Sequence, residues 1–176
     1  NIPISGSPEG TISDSTKISH VGILGPDYIG MKPTMMVEVG DQVKIGSVLF
    51  EDKKNPGVFF TSPAGGLIKS INRGDKRRFI SIEIEVANQE NQVEILNDND
   101  EILLRNLSKY GVINNFRTRP FNKTPKPNDI PNDIFVNICD TNPLSVDPYI
   151  YLQYEIDLFN RSLIKLKEIF NCNIHV

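Results

Sequence analysis

The sequence predicts an α+β chain in two parts, a small antiparallel β domain over residues 1–97 followed by the start of an α/β layer over residues 98–176. Three observations carry that expectation. From Met36 to Val86 apolar residues alternate in short runs that break twice at a Gly-Asp pair, Gly40-Asp41 and Gly74-Asp75. From Asn88 to Asp100 the alternation stops in a polar, Asn-rich stretch that reads as a boundary. Beyond it, a short apolar run, a polar loop, an apolar stripe at helical spacing and a second extended start follow one another, the order of a β-α-β unit.

Within the first part, Met36, Val37, Val39, then Val43, Ile45, Val48, Phe50, then Leu67, Ile68, Ile71, and finally Phe79, Ile80, Ile82, Ile84, Val86 read as short antiparallel strands. Each Gly-Asp pair supplies a positive φ and a side chain that bonds its own turn. Between the two halves, Val58 to Thr61 is a strand stopped by Pro63 and released through Gly65-Gly66. Two copies of strand, Gly-Asp turn and strand can close face to face around a small core. That is the plan of a barrel-sandwich hybrid, and this segment resembles the biotinyl and lipoyl carrier domains that share it.

Residues 1–35, rich in Gly, Pro, Ser and Thr, are expected to run extended and to wrap an edge of the barrel. The loop Gly25 to Pro33 holds Tyr28 and Met31 between glycines, and two readings stand: a cover over the sandwich or a lip facing a ligand. The stretch Glu51 to Gly57 falls where a carrier domain presents its modified lysine. The attachment position falls near Asn55, with Pro56-Gly57 after it, so Lys53 and Lys54 are only adjacent. A solvated loop is expected there rather than covalent biotin or lipoate, and intact mass would expose either group.

Composition narrows the function classes. Hydrophobic residues at 39% and charged residues at 23% are ordinary for a globular chain, and no apolar run approaches the ~20 residues of a membrane helix. No secretory h-region appears, and the first and last residues read as cuts in a longer protein. A net charge of -3 without a basic block argues against nucleic acid. Arg73, Lys76, Arg77 and Arg78 read as a solvated turn. Cys139 and Cys172 are expected as buried thiols, and neither they nor His20 and His175 have the spacing of a metal site.

In the second part, Asp98 and Glu101 have the spacing of a capping box, Leu103, Leu104 and Leu107 give an apolar face, and Gly111 supplies the stop. The loop to Phe121 then carries Arg117 and Arg119, which either clamp an anion or partner carboxylate or satisfy local carbonyls. Lys123 to Asp133, with Pro125, Pro127 and Pro131, is a stiff connector. Ile134 to Cys139 reads as a buried strand, Asp147 as an N-cap with Pro148 at N1, and residues 148–170 as one helix. Tyr151, Tyr154, Leu158, Leu163, Leu166 and Phe170 form its expected core stripe. Asn171 ends it and Asn173 opens the next strand, a Rossmann-like start that lacks the GxGxxG fingerprint.

Five blocks, Gly30 to Met35, Leu49 to Val58, Ile71 to Arg77, Phe116 to Phe121 and Asp140 to Leu144, resemble the A subunit of the sodium-translocating NADH:quinone oxidoreductase, and the resemblance spans essentially the whole chain. It implies a peripheral subunit on the cytoplasmic face of the bacterial inner membrane. Its partners would be five other subunits, which hold the FMN, riboflavin, FAD and iron-sulfur centres while electrons pass from NADH to ubiquinone and sodium is pumped. No catalytic residue, cofactor or metal is then expected on this chain.

The same fold resembles the flavin-binding subunit of respiratory complex I, with its Rnf relative, which cradle FMN with Gly-x-Gly-Gly-Ala-Gly-Phe-Pro-Thr because only bare backbone closes on the phosphate. Here that stretch is Gly111-Val112-Ile113-Asn114-Asn115-Phe116-Arg117-Thr118, with one glycine. The relatives' acidic Asn-x-Asp-Glu-x-Glu-Pro stretch is here Asn137 to Pro143, without either glutamate. The resemblance further implies quinone contact near Leu24 to Met31 and from Phe121 onward. Tyr28, Met31 and Phe121 would flank a ring there and Lys123 would donate to a carbonyl oxygen, while docking of membrane subunits explains the same residues without quinone. A carrier module and a flavin-binding dehydrogenase subunit remain the competing classes.

Overall fold

A computed structural model describes residues 6–12, 17–87 and 104–176, and the chain divides into two compact units, Lys17–Asp129 and Asn1–Thr16 with Ile130–Val176. The Asp98-Glu101 capping box, Leu103 and the Asn88 to Asp100 boundary lie outside the described residues, as do Ile2 and Ile4 of the N-terminal stretch.

The first unit is built on two antiparallel sheets. Strands β1 (His20–Leu24), β2 (Pro33–Met35), β3 (Gln42–Val43), β4 (Val48–Asp52), β5 (Phe59–Thr61), β6 (Gly66–Arg73) and β7 (Phe79–Val86) form one sheet in the order β1-β7-β6-β3 and a second in the order β2-β4-β5. In β7 the alternation holds over Ile82 and Ile84, both buried, with Glu85 facing out, but it breaks at the start of the strand, where Phe79 is buried and Ile80 is exposed beside the register shift between Asn72 and Arg73. Bulges between Val48 and Phe50 and between Ile68 and Ser70 shift the register, the device by which short strands curl around a small core. That core is Val43, Leu49, Phe50, Val58, Phe60, Ile68, Phe79, Ile82, Ile84 and Ile113. The Phe50 ring stacks on Phe60 at 4.5 Å and meets the Phe79 edge at 5.2 Å, which ties β4 and β5 to β7. The extended N-terminal segment supplies β1, which lies on the outer edge of β7 in register from His20 opposite Glu85 to Leu24 opposite Ser81.

The two Gly-Asp turns are not equivalent. Gly40 takes the expected left-handed φ of 98°, and Asp41 accepts the Glu38 amide at 2.8 Å. Gly74 instead sits at φ −100°, and Lys76 and Arg77 carry the positive φ values in a 3-10 turn at Asp75–Arg77. Gly74 is held extended by a bond from its amide to the Arg78 carbonyl at 2.8 Å, with Ile80 pressed where a Cβ would lie, so the reversal falls on the next residues. The run Met36 to Val39 is not strand: β2 ends at Met35, and Met36 and Val39 are exposed while Val37 alone packs inward. The loop Lys53 to Gly57 is less free than a solvated tip. Asp52 is buried and accepts the Lys32 and Lys54 amides, Glu51 accepts the Gly57 amide at 2.7 Å, and Asn55 donates to the Pro125 carbonyl at 3.1 Å.

Helix α1 (Leu104–Lys109) belongs to the same unit, buries Leu107 and ends at Gly111 with φ 73°, the left-handed stop the sequence expects. A 3-10 turn at Val112–Asn115 follows and drives Ile113 into the β core.

The second unit pairs β8 (Asp133–Phe135) with β9 (Asn173–His175) in parallel, joined through α2 (Tyr149–Leu152) and α3 (Ile156–Phe170), so the expected β-α-β order is present. The strand is shorter than the apolar run Ile134 to Cys139. Ile134 is buried, but Phe135 is 76% exposed and Cys139 is exposed, so only Cys172 of the two free thiols is the expected buried one. Its burial pushes the Cys172 thiol above its ordinary value. At the strand ends the Asp133 carboxylate bonds the His175 Nε2 at 2.8 Å, and this bond, with one from Asn173, holds the carboxyl below its usual range.

The single helix over 148–170 is two helices. The Gln153 side chain bonds the Ile150 carbonyl at 3.0 Å and the Glu155 amide reaches back to the Leu152 carbonyl at 2.9 Å, so the i to i−4 ladder is interrupted between Leu152 and Ile156. The tyrosines do not join the core: Tyr154 is 73% exposed, and Tyr151 and Leu158 face out as well. The inward stripe is Phe159, Leu163, Leu166 and Phe170, so the carboxyl half of the expected stripe, Leu163, Leu166 and Phe170, is turned inward, while in the amino half Phe159 takes the place of Leu158. Asp147 does cap, accepting the Tyr149 amide at 2.9 Å. Asn171 closes α3 at φ 47°, ψ 47°, a conformation that costs residues with an ordinary Cβ about 1 kcal/mol. Asn171→Ala is therefore expected to lower stability by about 1 kcal/mol and Asn171→Gly to leave it nearly unchanged, as read by thermal denaturation of the full-length protein.

Candidate functional site

The loop after β1 folds as a 3-10 turn at Gly25–Asp27, and the Tyr28 and Met31 amides close it by bonding the Gly25 and Tyr28 carbonyls, both at 3.2 Å. This places the Tyr28 ring edge-on against Phe60 at 4.7 Å and packs Met31 against the β core. Both residues thus cover the sandwich. Tyr28 additionally lines a cleft of about 380 Å³, whose other walls are Ile23 and Leu24 of β1, Thr61 and Ser62 at the end of β5, and Asn114 and Asn115 of the 3-10 turn.

Three contacts hold that cleft in shape. Asn114 is buried and its amide donates to the Phe59 carbonyl, which ties the 111–117 loop to β5. The Asn114 Oδ1 is buried without a hydrogen-bond partner, an uncommon state for a native amide. Gly111 lies against Thr61, where a Cβ would stand 2.7 Å from the hydroxyl, and Thr61 Oγ1 donates to the Tyr110 carbonyl at 3.3 Å.

Arg117 sits over the Tyr28 ring, its guanidinium carbon 5.2 Å from the centroid, and its Nη1 bonds the Asn114 and Phe116 carbonyls. Arg117 Nη1 thus satisfies local carbonyls, as one of its two readings has it. Arg119 is exposed. Phe121 is 72% exposed, with the Lys123 ammonium 6.0 Å from its ring, and Thr118 and Lys123 bridge the loop that presents them. The structure therefore brings Tyr28 to Arg117 and Phe121 to Lys123, and the second pair does not line the cleft.

Sequence alone does not point to Asn114 or Thr61. The Asn114-Asn115 dipeptide beside Gly111 is the only signal for the first, and nothing local singles out the second. Among the described residues no group of three or more His, Cys, Asp or Glu converges for a metal, and no helix is long and apolar enough to cross a membrane.

Residues 1–87 match the family model described as the NqrA N-terminal barrel-sandwich hybrid domain, and residues 98–176 match that of the NqrA second alpha/beta domain. The chain is similar to the A subunit of the Na(+)-translocating NADH-quinone reductase of Yersinia pseudotuberculosis serotype O:1b, at 45% identity covering 100% of the chain and 41% of the relative. The protein of the same name from Neisseria meningitidis serogroup B is likewise 45% identical over 100% of the chain and 41% of its own length. That of Actinobacillus pleuropneumoniae serotype 5b is 44% identical over 97% and 40%. The chain thus spans about two fifths of the length of these curated relatives. With two NqrA domains matched in order and that identity running along the chain, it belongs to the NqrA family, whose curated relatives are named as the A subunit of the Na(+)-translocating NADH-quinone reductase.

Proposed function

We propose that this chain works as a cofactor-free, peripheral docking subunit of a multi-subunit sodium-pumping NADH:ubiquinone reductase, at the cytoplasmic face of the inner membrane, and contributes to a quinone site. Flavins and iron-sulfur centres then reside on its partner subunits. The observation that carries the quinone part is the cleft of about 380 Å³ with the aromatic residues Tyr28 and Phe60 in its walls, the Tyr28 ring being held in place by Phe60 and Arg117. Met31 backs the Tyr28 loop, and Phe121 with Lys123, which do not line the cleft, offer a further aromatic and an ammonium donor elsewhere in the same unit.

The cofactor-free part is supported by the state of the Gly111–Thr118 loop. A phosphate cradle needs free amides around bare backbone. Here the Asn114, Phe116 and Thr118 amides already donate to the Gly111, Ile113 and Lys123 carbonyls, and Ile113 is buried in the β core. The loop's residues do not fit a flavin phosphate.

Quinone titration of the full-length protein tests the site. Tyr28→Ala and Phe121→Ala are each expected to weaken quinone binding by about tenfold, the scale of one lost stacking contact. Unchanged affinity in both removes the site while leaving the docking role. A flavin absorbance band of stoichiometric strength in the purified protein would overturn the cofactor-free reading.

A further inference from the structure

A larger groove, of about 940 Å³, lies elsewhere in the Lys17–Asp129 unit, bounded by the tip of the β4–β5 hairpin, the carboxyl end of α1 and the turn at Lys126 to Asp129. Its walls are tied together. Asn55 on the hairpin donates to the Pro125 carbonyl, and Gly57 approaches Pro127 so closely that a Cβ would lie 3.3 Å from the ring. The turn beyond closes on itself through the Lys126 amide and the Asp129 carboxylate at 2.8 Å.

The charges around this groove are unbalanced. Lys54, Lys109 and Lys126, one from each wall, face a single carboxylate, Asp129, which the turn already engages, on a chain whose net charge is -3. Lysines elsewhere find acids: Lys69 pairs with Glu85 at 2.9 Å and Lys165 with Glu168 at 2.8 Å. Among the described residues none of the three groove lysines makes an ion pair, and Lys109 rests over the Tyr110 ring at 5.2 Å. Between them the lining mixes apolar and aromatic residues, Pro56, Phe59, Tyr110 and Pro127, with neutral polar asparagine and serine side chains.

We propose that this groove receives an acidic polypeptide segment, one carrying both carboxylates and apolar side chains, from another subunit of the assembly. The inference rests on the multi-subunit reading given above. Three ammonium groups on separate walls are point charges suited to carboxylates spread along a chain, and the proline and aromatic lining suits side chains between them. A concentrated phosphate is a poorer match, because the bordering helix end is the carboxyl end of α1, the negative end of its dipole.

The test uses the intact complex and the full-length protein. Zero-length carbodiimide cross-linking of the complex is expected to join Lys54, Lys109 or Lys126 to Asp or Glu of another subunit. Acetylation of the three lysines is expected to be about tenfold slower in the complex than in the isolated protein. The K54E/K109E/K126E variant, in which all three replacements are on the surface, should lose most of that partner on co-purification, as the wild type does when salt is raised. Cross-links confined to the chain itself, for example to carboxylates between Glu90 and Glu101, overturn the proposal. So does protection of the isolated protein by inorganic phosphate as complete as that in the complex. Wild-type co-purification with fully reactive lysines sinks the groove alone, whereas failure of the wild type to assemble sinks the multi-subunit reading with it.

Discussion

Phe50→Ala is expected to destabilise the β unit by about 3–5 kcal/mol, the range for truncating a fully buried phenylalanine. Phe50 is 0% exposed, and its ring stacks on Phe60 of its own sheet at 4.5 Å and reaches Phe79 of the other sheet at 5.2 Å. The loss has two parts, the transfer of the ring back to water and the void left among Leu49, Phe60 and Ile82, which short, hydrogen-bonded strands are poorly able to collapse. Phe50→Leu keeps most of the volume and should cost under about 1.5 kcal/mol. Urea unfolding of the full-length protein, followed by a probe in the β unit, measures both. Because Phe60 also supports Tyr28, the alanine variant should loosen the Tyr28 loop as well, visible as faster amide exchange at Tyr28 and Met31. A cost below about 1 kcal/mol would mean that the two sheets are not joined through this ring.

How far the sequence reveals the fold depends on whether a signal is local. The alternation of Ile82 and Ile84 needs only its own strand and identifies the buried face there, whereas the switch to buried Phe79 and exposed Ile80 comes with a register shift against β6 that β7's own residues do not encode. Gly111 and Asn171 are equally local: each sits where a left-handed residue must stop a helix, and both do so. The second Gly-Asp pair fails as a turn predictor because Ile80 and the Arg78 carbonyl, which hold Gly74 extended, are contacts its dipeptide does not encode. The Tyr151, Tyr154 and Leu158 stripe fails for a different reason. Helical spacing places Leu163, Leu166 and Phe170 of the same stripe correctly, but the break in the helix ladder between Leu152 and Ile156 interrupts that spacing, and Phe159 rather than Leu158 continues the inward face. The candidate site divides the same way. Tyr28 stands out as an aromatic between glycines, whereas its contacts with Arg117 and the Asn114 cleft join segments distant in sequence. The grouping of the three groove lysines is invisible in the sequence for that reason, since Lys54 stands out only beside a carrier attachment position and Lys109 and Lys126 not at all until the hairpin, α1 and the proline turn meet.

Gly66→Ala is expected to cost about 3 kcal/mol or more, although it adds a single methyl group. Gly66 opens β6 between two partners, opposite Val86 of β7 and Val43 of β3. An added Cβ would stand 2.0 Å from the Glu85 carbonyl oxygen, 2.9 Å from its carbon and 3.1 Å from the Val86 Cα. All three obstacles are backbone of a paired strand, so no rotamer change relieves the clash and β7 itself must move. That movement would also strain the bonds from the Val86 amide to the Ser19 carbonyl and from the Ala87 amide to the Gly65 carbonyl, which fasten the end of β7. Gly30→Ala is the control: its φ is +78°, but nothing lies within 4 Å of the added atom, so only the backbone cost of about 1 kcal/mol applies. The two variants separate steric from conformational cost by chemical denaturation under one set of conditions. If Gly66→Ala proved as mild as Gly30→Ala, the register that sets Gly66 against Val86 would be wrong, and with it the closure of the four-stranded sheet against which the Tyr28 cleft is built.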